Sequence, residues 1–193
     1  MEKLNGKKIN TAVFISGRGS NLRSLIKHYN KKKSPISIKL IVSNNSKAKG
    51  LIYAKKAKIK SHIENFKKIN IAEKKLLKKL SYNKINLICL AGFMKILSKN
   101  FIKKFNKPIL NIHPSLLPQY KGLNTHGRVI KNKEKYSGAT VHFVSSKLDS
   151  GKIILQKKIK VSKYENEKNL QKRILKIEHK LYPKAIKKIL INL

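Results

Sequence analysis

Residues 9–15, INTAVFI, form a short apolar run rich in β-branched side chains that leads directly into SGRGSN and then the amphipathic LRSLIKHY. Strand, glycine turn and helix is the order this pattern predicts. The same alternation recurs in ISIKLIVS (36–43) before AKGLIYAKKA, and in KSHIE (60–64) before a helix from Ile71 to about Tyr82. INLICLAG (85–92) then precedes a helical SKNFIKKF and the short strand PILNI (108–112). Repeated strand–helix units leave few folds open, because each helical crossover returns the chain parallel to its previous strand and must cover one face of the sheet.

After about Thr125 the rhythm changes. GATVHFVS (138–145) and KIILQKKIKV (152–161) alternate like strands, and the intervening SKLDSG is too short for a crossover helix, so this pair should be antiparallel. A final helix carries Leu170, Ile174, Ile177 and Leu181 at helical spacing, with Pro183 expected to kink or end it. The expected fold is therefore α/β: a Rossmann-like, doubly wound, mostly parallel sheet with helices on both faces and a late antiparallel strand pair. No internal repeat or linker divides the chain, so one domain over residues 1–193 is expected.

Charge is the anomaly of the composition. Lysine and arginine total 47 against 8 acids, a formal net charge of +39, and 43 of the bases are lysine. Such a balance would ordinarily indicate a polyanion partner. Here the lysines are spread over nearly every segment and accompany an excess of Ile and Asn, whereas nucleic-acid sites cluster their bases or favour the arginine fork. The reading preferred is a solvated, compositionally biased surface with weak non-specific anion binding. Cys89 is the only cysteine, which excludes an intramolecular disulfide and a cysteine metal cluster. The amino-terminal MEKLNGKKIN has no signal-peptide pattern, and no apolar run reaches the length of a membrane span, so a cytoplasmic location is expected.

Four stretches could carry chemistry. SGRGSN (16–21) is a glycine turn opening a helix, where backbone N–H groups and the helix dipole favour an anion. It lacks the third glycine of a dinucleotide loop and the G-K-[ST] of a triphosphate loop, so a mononucleotide-like phosphate fits it better. The alternative is a tight turn with Ser20 or Asn21 as the helix cap. NIHPSLLP (111–118) begins at the carboxyl end of a strand, where open α/β sheets place ligands. An exposed His113 there would work as acid or base near neutral pH, and the Asn111 amide would meet a developing oxyanion. LDSG (148–151) holds the chain's single aspartate, Asp149, in the turn between the late strands. If that turn folds over His113, its carboxylate favours the imidazolium and fixes its orientation. AGFMKIL (91–97) offers apolar side chains and free backbone groups at a strand end, suited to a flat heteroaromatic ring or to plain core packing.

In this order and spacing, ISGRGSNL, LAGFMKIL, NIHPSLLPQYKGLNTH and ATVHFVSSKLDSGKIILQ resemble the phosphoribosylglycinamide formyltransferase family, folate-dependent enzymes of purine synthesis. NIHPSLLP and LDSG-like segments occur in several formyl-folate enzymes; ISGxGSNL joined to GLxTH is more particular to this one. The resemblance implies that Gly19, Ser20 and Asn21 bind the phosphoribosyl substrate, with Glu178 contacting its glycinamide. It implies a catalytic trio of Asn111, His113 and Asp149, with Asp149 raising the pKa of His113. Met94, Lys95, Ile96 and Leu97, together with Asn111, would hold the pterin of 10-formyltetrahydrofolate. Ser145, Ser146, Lys147 and Leu148 would form the loop around it. Ile69 stands where the family usually has an arginine for the folate tail, leaving Lys67 or Lys68 as the nearby charge, without the bidentate fork. Lys95, Asn124 and Lys121 also depart from the family's frequent Arg, His and Pro.

The implied reaction moves a formyl group from 10-formyltetrahydrofolate to a glycinamide amine, with no protein nucleophile and no metal. His113, His126 and His142 form no recognised metal spacing. The implied partners are these two small molecules, with no specific nucleic acid or membrane, and a monomer or weak homodimer. A methionyl-tRNA formyltransferase would be expected to carry a further carboxyl-terminal domain, and a formyltetrahydrofolate deformylase a regulatory domain ahead of the first strand. A nucleic-acid-binding protein on the same fold would show tight, steeply salt-dependent RNA binding and a localised basic patch.

Overall fold

The structure is a computed structural model that describes residues 8–191; the part of the amino-terminal segment before Lys8 lies outside the described residues. Among the described residues there are seven strands and six helices, strand and helix alternating as far as β5, and the strand order in the sheet is β3-β2-β1-β4-β5-β6-β7. Their bounds are β1 Ile9–Ile15, α1 Ser20–Tyr29, β2 Ile36–Ser43, α2 Leu51–Lys56, β3 Lys60–Ile63, α3 Ile69–Tyr82, β4 Leu87–Leu90 and α4 Lys99–Phe105. The rest are β5 Ile109–His113, α5 Thr125–Lys131, β6 Tyr136–Phe143, β7 Ile153–Lys160 and α6 Glu167–Ile191. Backbone packing divides the chain into two compact units, one running to Leu110 and the other beginning at Asn111.

In the first unit β1 runs parallel to both β2 and β4, and β2 runs parallel to β3. The chain winds outward through β1, β2 and β3, then returns to the other side of β1 as β4, so the direction of winding reverses at the β1/β4 pair. Right-handed crossovers place the outward helices on one face and the returning ones on the other. The packing agrees: α1 touches α2, and α3 touches α4. Ala12, Val13, Phe14, Ile15, Ile88 and Cys89 are fully buried, the near-continuous apolar run that a parallel strand covered on both faces requires. From α1, Leu22, Leu25 and Tyr29 turn inward at helical spacing, and from α3 Ala72, Leu76 and Leu80 do the same. Glu73 is buried with them because its carboxylate accepts the Ser98 backbone N–H at 2.7 Å and the Ser98 hydroxyl at 2.5 Å, anchoring the N-cap of α4.

The second unit contains the antiparallel hairpin expected from the sequence, β6 against β7, with α6 packed on both strands and on α5. Its edge strand β7 exposes Lys157, Lys158 and Lys160, which discourages pairing with a further chain. Of the two outcomes expected at Pro183, a kink or an end, the helix does not end there: α6 continues to Ile191. Past the proline, Ala185, Ile186 and Ile189 are buried beside Tyr182, and each large apolar side chain contributes about 1.5–3 kcal/mol, which offsets the roughly 3 kcal/mol cost of an interior proline. The helix α5 has no counterpart in the sequence reading; it is seven residues long, holds Gly127 inside it, and starts from Asn124 without a side-chain cap.

No described lysine is buried. The positive charge is solvated along every helix and both edge strands rather than gathered on one face.

Candidate active site

Every parallel strand of the first unit ends at the same edge, and the ends of β1 and β4 meet where the winding reverses, the position at which open α/β sheets bind ligands. The turn after β1 places Gly19 as the N-cap of α1 in a left-handed conformation, φ 71, so neither Ser20 nor Asn21 is the cap considered from the sequence. Glycine is required there twice over, since a Cβ on Gly19 would also lie 2.5 Å from Gly50 Cα. With no side-chain cap and no acidic residue in its first turn, the N-terminus of α1 is electrostatically suited to an anion.

Ser16 joins this turn to the end of β4. Its hydroxyl donates to Asn44 Oδ1 at 2.5 Å and accepts the Met94 N–H at 2.7 Å, while its own N–H donates to the Gly92 carbonyl at 3.1 Å. The Met94 N–H is therefore committed to the protein. Leu97 is buried and anchors the segment, whereas Met94 and Ile96 are 62% and 66% exposed. Two neighbouring large apolar side chains held out at a strand end are suited to covering a flat ring. Beneath them Phe93 packs edge-on against Phe14 and Phe66. Ile69 begins α3 with Lys68 as its N-cap, and Lys67, Lys68 and Ile69 are all exposed.

In the second unit Asn111 and His113, two apart on β5, project to the same side of the sheet. The turn after β6 brings Asp149 to them. Its Oδ2 lies 3.4 Å from His113 Nδ1 and accepts the Gly122 N–H at 2.9 Å, while Oδ1 accepts from Asn111 Nδ2 at 3.4 Å. His113 Nε2 stands 2.9 Å from the Tyr120 carbonyl oxygen. Nε2 thus meets a hydrogen-bond acceptor, and Nδ1 faces a carboxylate oxygen at ion-pair distance. His113 is 6% exposed, not the exposed side chain expected at a strand end: β5 extends one residue further than anticipated, and the Tyr120 carbonyl lies against Nε2.

The hairpin turn reaches the site through two backbone features. Asp149 itself sits at φ 44 and Tyr120 at φ 56, left-handed conformations that cost non-glycine residues about 1–2 kcal/mol each and persist only where the surroundings fix them. At Gly151, a Cβ would lie 1.7 Å from the Phe143 carbonyl oxygen, so the strand could not close beneath the turn with any other residue. Ser145, Ser146, Lys147 and Leu148 form the surface of this turn, with the Ser145 hydroxyl donating to the Lys147 carbonyl at 3.1 Å. Glu178 is buried on α6.

Sequence reasoning gave no role to His142. A register shift between Val141 and His142 re-aims its ring, which is 2% exposed, into the cluster. Its Nδ1 donates to the Phe143 carbonyl at 2.9 Å, leaving Nε2 to accept from Asn111 Nδ2 at 3.3 Å. Burial pushes the His142 pKa down, against the smaller opposing pulls of the Phe143 carbonyl and Asp149. A neutral His142 is thus an acceptor that orients the Asn111 amide. Burial likewise lowers the pKa of His126 on α5. Among the described residues no group of three or more His, Cys, Asp or Glu could hold a metal ion, and no helix is long and apolar enough to cross a membrane.

The family model for formyl transferase matches residues 9–186. The chain belongs to the formyl transferase family. Among relatives, the phosphoribosylglycinamide formyltransferase of Haemophilus influenzae is 39% identical over 94% of this chain and 86% of its own length. That of Escherichia coli is 36% identical over 92% and 85%. The human trifunctional purine biosynthetic protein adenosine-3 is 39% identical over 93% of this chain, which spans only 18% of that protein. The crystal structure of phosphoribosylglycinamide formyltransferase from Anaplasma phagocytophilum superposes with a TM-score of 0.91 at 38% identity, covering 96% of this chain and 88% of that one. The mostly parallel sheet with a late antiparallel pair, inferred from the alternating strands and helices, is the one observed.

Proposed function

We propose that this formyl transferase moves the formyl group of 10-formyltetrahydrofolate to the amine of N1-(5-phosphoribosyl)glycinamide, a step of purine biosynthesis. The observation that carries the reading is the convergence of Asn111, His113 and Asp149, residues 38 positions apart at the extremes, within 3.4 Å of one another along the chain of contacts. Relatives of matching length that bear the phosphoribosylglycinamide formyltransferase name support the choice of acceptor.

In this reading Gly19, Ser20 and Asn21 take the phosphate at the start of α1, and Glu178 engages the glycinamide. Met94 and Ile96 cover the pterin ring. Lys95, Ile96, Leu97 and Asn111 supply groups that hold it, and Ser145 to Leu148 border it. The folate tail is left to Lys67 or Lys68, whose point charges replace an arginine fork.

The amine attacks the formyl carbon, forming the new C–N bond and placing negative charge on the former carbonyl oxygen. The Asn111 amide, whose two bonds to His142 and Asp149 are long at 3.3 and 3.4 Å, turns a hydrogen to that oxygen. The His113 cation, anchored through Nε2 by Tyr120, has Nδ1 only at ion-pair distance from Asp149, 3.4 Å, and turns Nδ1–H from that long contact to the developing oxyanion while the carboxylate stabilises its charge. Donors of this kind are worth about 3–4 kcal/mol each in the transition state. The bond from the formyl carbon to N10 then breaks. N10 leaves with a proton equivalent to the one the amine gives up, carried by a water that Asp149 holds. The lone buried thiol of Cys89 has no part in this chemistry and is compatible with a reducing cytoplasm.

The test is an absorbance assay of folate product with 10-formyltetrahydrofolate as donor and three acceptors offered separately: phosphoribosylglycinamide, initiator methionyl-tRNA and water. Saturable transfer to phosphoribosylglycinamide alone is expected. Preferential transfer to tRNA or water would reassign the acceptor, and inertness with all three would overturn the proposal.

A further inference from the structure

Three consecutive residues, Tyr120, Lys121 and Gly122, reach both charged members of the trio from one side. The Tyr120 carbonyl meets His113 Nε2 at 2.9 Å, and the Gly122 N–H donates to Asp149 Oδ2 at 2.9 Å. Between them, Lys121 Nζ donates to the hydroxyl of Ser150, the neighbour of Asp149, at 2.5 Å. Backbone groups that orient a catalytic imidazole and its carboxylate are useful only if the segment bearing them is itself fixed. This segment is not fixed by burial: Tyr120 and Gly122 are half-buried, Lys121 is exposed, and Tyr120 sits at φ 56.

What fixes it is a surface clamp contributed by α5 and the turn after it. The Tyr120 phenol donates to Glu134 Oε1 at 2.6 Å and accepts from Asn132 Nδ2 at 3.0 Å. The Arg128 guanidinium lies over the Tyr120 ring, its carbon 5.4 Å from the centroid, and Nη2 donates to the Lys121 carbonyl at 2.6 Å. Hydrogen bonding to Glu134 pushes the Tyr120 pKa up, so the phenol remains a donor. A core role does not account for these contacts, since Glu134 and Arg128 are only half-buried and Asn132 is exposed.

We infer that Tyr120, Arg128 and Glu134 are positioning residues: by clamping residues 120–122 they set the orientation of His113 against Asp149. The inference rests on the catalytic reading given above for the trio, and none of the three side chains touches substrate in it. A clamp of this kind acts on turnover rather than on substrate binding, because it changes the fraction of molecules in which the imidazole points correctly.

The test compares Tyr120→Phe, Glu134→Ala and Glu134→Gln by steady-state kinetics and by nitrogen-15 NMR of the His113 ring. Tyr120→Phe and Glu134→Ala should each lower kcat about tenfold, the loss expected for one charge-assisted hydrogen bond, with both KM values within about twofold of the parent. Both should move the His113 Nε2 resonance. Glu134→Gln keeps an oxygen acceptor for the phenol and should recover most of kcat. Unchanged kcat together with an unmoved His113 resonance in both Tyr120→Phe and Glu134→Ala would overturn the inference. Tyr120→Phe retains every ring contact and decides the matter if Glu134→Ala fails to fold. A parent protein inert toward all three acceptors, or an active His113→Ala protein, would defeat the catalytic reading instead, and the His113 resonances of the same variants would still decide whether the clamp orients the ring.

Discussion

Replacing Asp149 by asparagine keeps the size of the side chain but removes one charge and the Oδ1 acceptor that Asn111 Nδ2 meets at 3.4 Å. The amide oxygen can still accept the Gly122 N–H, and asparagine tolerates the left-handed φ of 44 that this position requires. The loss of a charged acceptor should cost about 1 kcal/mol of stability, the difference between a charge-assisted and a neutral hydrogen bond. The effect on turnover should be much larger. At the observed 3.4 Å from His113 Nδ1, a carboxylate and an imidazolium attract by roughly 5 kcal/mol at an effective dielectric constant of 20. Taking about 3 kcal/mol of this as felt in the transition state, Asp149→Asn should lower kcat by roughly a hundred- to a thousandfold. The assay is kcat by the absorbance change of the folate, paired with urea denaturation and with calorimetric binding of phosphoribosylglycinamide, which should be unchanged. A folded Asp149→Asn protein turning over within about threefold of the parent would refute the electrostatic role assigned to this carboxylate.

Ser16→Ala removes the acceptor for the Met94 N–H and the donor to Asn44, so the KM for the folate should rise about fivefold to tenfold while affinity for phosphoribosylglycinamide changes less; equal effects on both ligands would contradict the assignment of 94–97 to the folate. Gly19→Ala forces a side chain onto φ 71 and against Gly50, and should cost at least about 2 kcal/mol of stability and weaken phosphoribosylglycinamide binding measured by calorimetry; unaltered affinity would remove the α1 turn from the site. His126 and His142 both titrate lower folded than unfolded, so the unfolded chain binds more protons as the pH falls below about 6.5, and stability is present above that pH and lost below it toward their folded values. The unfolding free energy from urea titration should therefore rise between pH 5.5 and 7, by up to about 1.4 kcal/mol per pH unit for each histidine, and a His126→Gln, His142→Gln protein should show a flatter slope; an identical slope would exclude these groups.

What was legible in the sequence is what local pattern encodes. The apolar run ending at Ile15 and its glycine turn are adjacent in the chain, and Asn111 and His113 share a face because strand side chains alternate. Asp149 stood out as the single aspartate in a tight turn, although only folding brings it across 36 positions to His113. The parts that escaped depend on tertiary context. His142 reads as one residue of an alternating strand until the register shift at Val141 turns it into the cluster. The Tyr120 carbonyl and the Gly122 N–H are backbone groups, which residue identity does not advertise. The Tyr120 carbonyl against a buried His113 is a contact made only on folding, and the continuation of α6 through Pro183 is accompanied by buried apolar side chains further on.

The cluster of Asn111, His113 and Asp149 is tested most directly by His113→Ala, assayed for formyl transfer to phosphoribosylglycinamide with ligand binding measured on the same preparation. Binding within about twofold of the parent and a loss of turnover of several hundredfold, equivalent to about 3–4 kcal/mol, is the predicted result. A His113→Ala protein that binds normally and transfers formyl groups at nearly the parent rate would contradict it.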